Sequence, residues 1–150
     1  METSMEQRAE RGQRAAVQRA VAYYRTSTDT NVGADKDSLP RQREAVTRYA
    51  QAQGIEIVAE FYDADVRGDT SISRRKGMSE LMGRCAHDGI SMMLVESASR
   101  FARDAVVQIT GYDLLLGLGI TIVPVDAPGY FLEDTPTARM VRGIIAHVNE

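Results

Sequence analysis

The sequence predicts an α/β domain: a mostly parallel central sheet of four to five strands, with helices on both faces. Two observations predict it. From residue 20 onward, short apolar runs of strand length alternate with longer segments whose apolar residues recur at helical spacing. Each helix-length segment is long enough to cross back over the sheet, which makes successive strands parallel.

The elements follow in order. Residues 1–19 are polar and charged, with a thin apolar face of Ala9, Ala15, Ala16 and Val17. They read as a leader outside the main domain, flexible or loosely docked. Ala20–Tyr24 is the first strand. Leu39, Val46, Tyr49 and Ala50 mark a helix to Gln53, which Gly54 ends. Ile55–Tyr62 is the second strand, and Met78, Leu81, Met82 and Cys85 mark a second helix ending near Gly89. Ile90–Val95 is the third strand, and Val106, Ile109, Tyr112 and Leu116 lie on a third helix over 104–117. Ile120–Val125 is the fourth strand. Asp134 and Thr135 then cap a fourth helix with Pro136 in its first turn. Met140, Val141, Ile144, Ile145 and Val148 form a broad apolar stripe on that helix. Two readings of the stripe stay open: the helix continues or packs against a partner chain, or it covers its own sheet.

Composition narrows the function. At 150 residues, 43% hydrophobic and 26% charged, the chain is an ordinary globular domain. No apolar run approaches the roughly 20 residues of a membrane span, and the N-terminal residues lack a signal peptide's apolar stretch. Cys85 is the only cysteine, so no internal disulfide forms and a cytoplasmic location is expected. A net charge of −3 argues against a surface that binds nucleic acid everywhere. Yet sixteen of the eighteen basic residues are Arg, whose planar fork grips phosphate oxygens with paired hydrogen bonds.

In parallel sheets, ligands meet the loops at the carboxyl ends of the strands. Here those loops are 25–38, 63–75, 96–104 and 126–134. The first carries Arg25 and Ser27, and the second, followed on to Gly77, carries Arg67, Arg74, Arg75 and Lys76. The third carries Arg100 and Arg103, three apart, which on a starting helix turn would share a face and could offer a phosphate free backbone N–H groups. A hydroxyl ringed by guanidinium groups suits attack on a phosphodiester, because charge grows on the non-bridging oxygens as the nucleophile adds. No metal-holding constellation or cofactor motif is evident. GxxxxGK[ST], GxGxxG and GxSxG are all missing, which disfavours a P-loop nucleotidase, a dinucleotide binder and an acyl hydrolase. Cys85 and His87 point different ways on one helix, and His87 and His147 read as ordinary helix residues.

Several motifs, in order, resemble the catalytic domain of the serine recombinases, the resolvase–invertase family. Tyr23-Tyr24-Arg25-Thr26-Ser27 resembles its Tyr-x-Arg-x-Ser, and Ser38-Leu39-Pro40-Arg41-Gln42 resembles its Ser-Leu-x-x-Gln. Asp63–Gly68 followed by Arg74-Arg75-Lys76-Gly77 resembles its Asp-rich loop and Arg-Lys-Gly. Ser99-Arg100-Phe101-Ala102-Arg103 resembles Asp-Arg-Leu-x-Arg, and Thr137–Val148 the start of the long helix through which these subunits pair.

The resemblance implies a resolvase-like fold over residues 20–150 ending in that long helix, with DNA as partner and self-association as dimer and synaptic tetramer. It implies that Ser27 attacks a DNA phosphodiester and becomes joined to a 5′ phosphate. Arg25, Arg100 and Arg103 would surround that phosphate, Arg75 would serve as the second-loop arginine, and Gln42 would position the scissile group. Strand exchange and rejoining would need neither metal nor ATP. Ser99 stands where the family usually has Asp, and Arg67 where Ser is usual. The long first loop, Asp29–Asp37, is more similar to the large serine recombinases. No helix-turn-helix, zinc site or basic tail is present, so the 150 residues are expected to bind DNA weakly and with little sequence choice. Two other functions remain open: a resolvase-like partner without catalysis, and a regulatory module whose arginines hold a small anion or nucleotide.

Overall fold

The computed structural model describes residues 17–27 and 38–148. Most of the expected leader and the stretch Asp29–Asp37 lie outside the described residues. Four strands, β1 (Gln18–Arg25), β2 (Ile55–Asp63), β3 (Met92–Val95) and β4 (Thr121–Pro124), form one sheet in the order β2-β1-β3-β4, with every pairing parallel. β1 begins at Gln18, two residues inside the segment read as leader. It is central, so from Ala20 to Arg25 it is buried on both faces, as strands of a covered parallel sheet must be. β4 is an edge strand, which is where Pro124 is tolerated without a backbone N–H.

Five α-helices and two 3₁₀ turns accompany the sheet among the described residues. α1 (Ser38–Gln53) lays Leu39, Val46, Tyr49 and Ala50 on Ala20, Ala22, Tyr24 and Leu94 on one face. The other face is covered by α2 (Lys76–Asp88), α3 (Ala98–Phe101) and α4 (Ala105–Gly117). Their Met78, Leu81, Cys85, Phe101, Tyr112 and Leu115 pack on Val21, Tyr23, Met93, Val95 and Ile122. α2 stops at Gly89, which adopts φ 67° and ψ 35°, the left-handed conformation that glycine adopts most readily. The 3₁₀ turns are Ile72–Arg74 and Tyr130–Leu132.

One irregularity decides which side chains reach which face. Ala20 pairs with Ile57 but Val21 pairs with Ala59, so Val58 is an extra residue in β2. Ile55 and Ile57 therefore pack toward α1, whereas Ala59 and Phe61 pack toward α2. The shift puts Phe61 beside Tyr23 and Asp63 beside Arg25.

The last helix, α5 (Pro136–Val148), starts as expected. Thr135 Oγ1 accepts from the Ala138 N–H at 3.1 Å, and Pro136 occupies the first turn. Its inner edge does not cover the sheet. Ala138, Val141 and Ile145 pack on Ile109 of α4, and Arg142 makes a two-pronged salt bridge to Asp113, 2.9 Å on each prong. Met140, Ile144 and Val148, one helical turn apart, stay 61%, 58% and 75% exposed. No helix among the described residues is long and apolar enough to cross a membrane.

Close packing between α4 and the loops can be tested at Gly111. A Cβ there would come within 2.6 Å of Ile72 Cγ1 and 2.8 Å of Phe101 Cζ. Replacing a mid-helix glycine by alanine ordinarily gains roughly 1 kcal/mol of helix propensity. Here overpacking, about 1–3 kcal/mol, outweighs that gain. Gly111→Ala should lower the urea midpoint, and a raised midpoint would refute the tight fit.

Candidate active site at the carboxyl end of the sheet

From β1 the chain crosses over α1 to β2 on one side, then through α2 to β3 on the other. The order reverses between β1 and β3, and such a reversal is where open parallel sheets form their ligand-binding crevice. Arg25, the last residue of β1, bridges it. Its Nε donates to Arg100 O at 2.9 Å, Nη2 to Ser99 O at 2.8 Å and Nη1 to Val66 O at 2.9 Å. Arg25 and Arg75 are each only 1% exposed. Arg75 Nε donates to Thr70 O at 3.1 Å, Nη2 to Gly68 O at 3.4 Å, and Nη1 to Phe101 O and, at 3.4 Å, to the Tyr23 hydroxyl. Both guanidinium groups thus spend most of their N–H groups on loop carbonyls. They tie the 64–75 segment to the 98–103 segment.

The Tyr23 hydroxyl passes the network on by donating to Asp63 Oδ2 at 2.8 Å. Asp63 also accepts from the N–H groups of Gly77 (2.7 Å) and Met78 (3.1 Å), so it caps α2 from the end of the neighbouring strand. Gly77 has to be glycine here, since a Cβ would lie 2.9 Å from the Asp63 carboxyl and from Tyr62 O. Among the described residues no buried side-chain nitrogen or oxygen lacks a partner.

Ser27 lies two residues beyond Arg25 and is 5% exposed. The preceding residue is pinned three ways. The Thr26 N–H donates to Asp63 O at 3.1 Å, its carbonyl accepts from Val66 N–H at 3.0 Å, and its hydroxyl meets the Tyr62 hydroxyl at 2.6 Å. Gln42, fully buried on α1, grips the Arg25 peptide from the other side. Its Oε1 accepts from the Arg25 N–H (3.3 Å), and its Nε2 donates to Arg25 O (3.1 Å) and Ser38 Oγ (3.3 Å). Gln42 therefore holds the backbone that leads into Ser27.

Arg100 and Arg103 do not share a helical turn. α3 ends at Phe101, Ala102 is extended, and Arg103 sits in the link before α4. Nor is the N-terminus of α4 open to an anion, because Asp104 Oδ1 caps it by accepting from Val107 N–H at 3.1 Å. Arg100 Nε lies 3.3 Å from Glu96 Oε1. Arg103 is exposed, with its backbone N–H bound to Gly68 O at 2.9 Å. The arginines nonetheless gather. Burial, then the charges of Arg75, Arg103 and Arg100, lower the Arg25 pKa to about 10, partly opposed by Tyr23. That leaves it a cation at neutral pH. Arg67 is exposed and 3.4 Å from Asp69. No cluster of three or more His, Cys, Asp or Glu among the described residues could hold a metal ion.

Residues 20–150 match the family described as Resolvase, N terminal domain. The chain belongs to the resolvase family. No curated protein matches it. Solved structures carry the same fold. The N-terminal catalytic domain of TP901-1 integrase is 18% identical with a TM-score of 0.61, covering 88% of this chain and 94% of that one. The C-terminal catalytic domain of ISC1926 TnpA, an IS607-like serine recombinase, is 22% identical with a TM-score of 0.60, covering 88% and 99%. A resolvase family site-specific recombinase from Streptococcus pneumoniae is 21% identical with a TM-score of 0.62, covering 88% of each. The fold is thus that of a serine recombinase catalytic domain, and these likenesses do not separate the large type from the small.

Reading the sequence for candidate site residues missed Tyr23 and Asp63. Their parity along the strands puts them on one face only because of the Val58 bulge, and nothing in the residue pattern announces that bulge. Their chemistry gives an alkaline signature. Burial, reinforced by carboxylate hydrogen bonds from Asp63 and Glu60, raises the pKa of Tyr23 and of Tyr24 far above the ordinary 10.0. A raised folded value means that this stabilisation is complete below about pH 10 and lost as the pH climbs further. Tyr23 and Tyr24 should add no phenolate absorbance at 295 nm until the far-ultraviolet circular dichroism of the fold is lost. Tyr23→Phe should cost about 1–2 kcal/mol in urea. Ionisation of both phenols in the intact fold would contradict the network.

Proposed function

We propose that this domain cuts and rejoins DNA through Ser27. The observation that carries the reading is the set of contacts where the strand order reverses between β1 and β3. There the segment bearing Ser27 is clamped by Gln42, Asp63 and Tyr62, beside a group of guanidinium ions from separate strand ends. Ser27 Oγ attacks phosphorus, the P–O3′ bond breaks, and O3′ leaves as a hydroxyl with the proton that Ser27 gives up. The 5′ phosphate stays on Ser27 as a phosphodiester-like link, so rejoining is the reverse attack by a 3′ hydroxyl and needs no outside energy source. Surrounding positive charge favours the serine alkoxide over the neutral hydroxyl.

The arginines divide the work. Arg103 and Arg100, toward the open side, contact the non-bridging oxygens, Arg100 exchanging Glu96 for phosphate. Arg25 and Arg75 stay beneath as preplaced charge that holds the loops, and no reorganisation is required of them as the transition state forms. Gln42 acts as a positioning residue. The exposed Met140–Ile144–Val148 stripe supports pairing of two copies through α5.

A library of nicked duplexes of randomised sequence tests this. The chain should yield a protein–DNA adduct that survives denaturation and carries a 5′ phosphate on Ser27. Ser27→Ala should yield none, and Arg103→Ala should slow adduct formation about 100-fold or more. DNA binding without any adduct would assign a non-catalytic pairing role. Tight mononucleotide binding without binding to DNA would assign a small-anion module.

A further inference from the structure

Most exposed basic side chains of the domain face an acid. Arg43 lies 3.1 Å from Glu60, Arg48 2.5 Å from Glu44, Arg139 3.6 Å from Asp134 and Arg142 2.9 Å from Asp113, and Arg84 is paired with Asp88. Arg19, at the opposite end of β1 from the crevice, helps lower the pKa of Asp88. On the crevice side, Arg67 and Arg100 are met by Asp69 and Glu96. Among the described residues that leaves Arg19, Arg41, Arg74, Lys76 and Arg103 outside any carboxylate ion pair. All but Arg19 sit in loops or first helical turns at the carboxyl end of the sheet. In a chain of net charge −3, unpaired positive charge is thus concentrated on one rim.

Arg74 and Lys76 are the most constrained of these. They flank Arg75, whose backbone is extended at φ −91° and ψ 123° and whose side chain points inward. Arg74 closes the 3₁₀ turn and Lys76 opens α2, and the side chains of both are exposed. The guanidinium of Arg75 holds Gly68, Thr70 and Phe101, so these two outward cations ride on backbone fastened to the floor of the crevice. Open, paired, preplaced cations suit a polyanion laid across them.

We infer that Arg74 and Lys76 form a second phosphate-binding site, which takes backbone phosphates of the DNA duplex beside the one at Ser27. This rests on the DNA reading above and adds residues that position the duplex without reading its sequence. The chain's affinity for a fluorescent duplex of arbitrary sequence, followed by anisotropy across a salt series, tests it. Each phosphate contact contributes roughly 0.9 to the slope of log K against log salt. Arg74→Gln/Lys76→Gln should flatten the slope by about 1.8, equally for unrelated sequences. Arg48→Gln, which removes a carboxylate-paired cation on α1, should leave the slope unchanged. The charge-preserving Arg74→Lys/Lys76→Arg should retain it, which separates charge from shape. An unaltered slope in the double Gln variant with its melting temperature intact, or an equal flattening by Arg48→Gln, overturns the site. A parent chain with no affinity for duplex even at low salt would instead overturn the DNA reading, and this site with it.

Discussion

Two guanidinium ions, Arg25 and Arg75, lie almost wholly inside the carboxyl end of the sheet. Taking a charge out of water costs several kcal/mol, so each must be met by polar groups of good geometry. Here the partners are mostly main-chain carbonyls: Val66, Ser99 and Arg100 for Arg25, and Gly68, Thr70 and Phe101 for Arg75. Those carbonyls belong to segments with little regular structure, which would otherwise have no ladder to satisfy them. The solvation of the two ions and the ordering of the loops are therefore one problem with one solution. The crevice, the exposed Arg103 and the pinned Thr26–Ser27 segment are its outward consequences.

Asp63 supplies the balancing negative charge and couples this cluster to a helix. Its carboxylate accepts from Tyr23 and from two N–H groups at the start of α2, and Tyr23 in turn accepts from Arg75. It reaches that position because β2 carries one residue more than β1 between the Ala20–Ile57 and Val21–Ala59 pairs. Strict alternation from Ile55 and Ile57 would aim Asp63 at α1. A single inserted residue thus moves an acid from one face of the sheet to the other.

The layered architecture was legible because it rests on periodicity. Val46 and Ala50, Met78 and Leu81, and Ile109 and Tyr112 announce helices, and the apolar runs between them announce covered strands. Ser27, Arg25, Arg100 and Arg103 could be placed on one rim because parallel strands send all their following loops to the same end. What stayed hidden depends on register and on the main chain. The Val58 bulge leaves no compositional trace. The inward turn of Arg75 between outward Arg74 and Lys76 cannot be told from a run of three bases. The one-turn helix Ala98–Phe101, which ends between Arg100 and Arg103, is too short to show a period. The stripe on α5 was legible as apolar, but its division between a half on Ile109 and an exposed half was not.

Because Arg25 is held by the oxygen of the peptide at position 99 rather than by the side chain there, the crevice tolerates change at that position. A different side chain there would leave the strand end tied to the loop. Main-chain anchoring of this kind lets the side chains around a site drift in sequence while its skeleton keeps its shape.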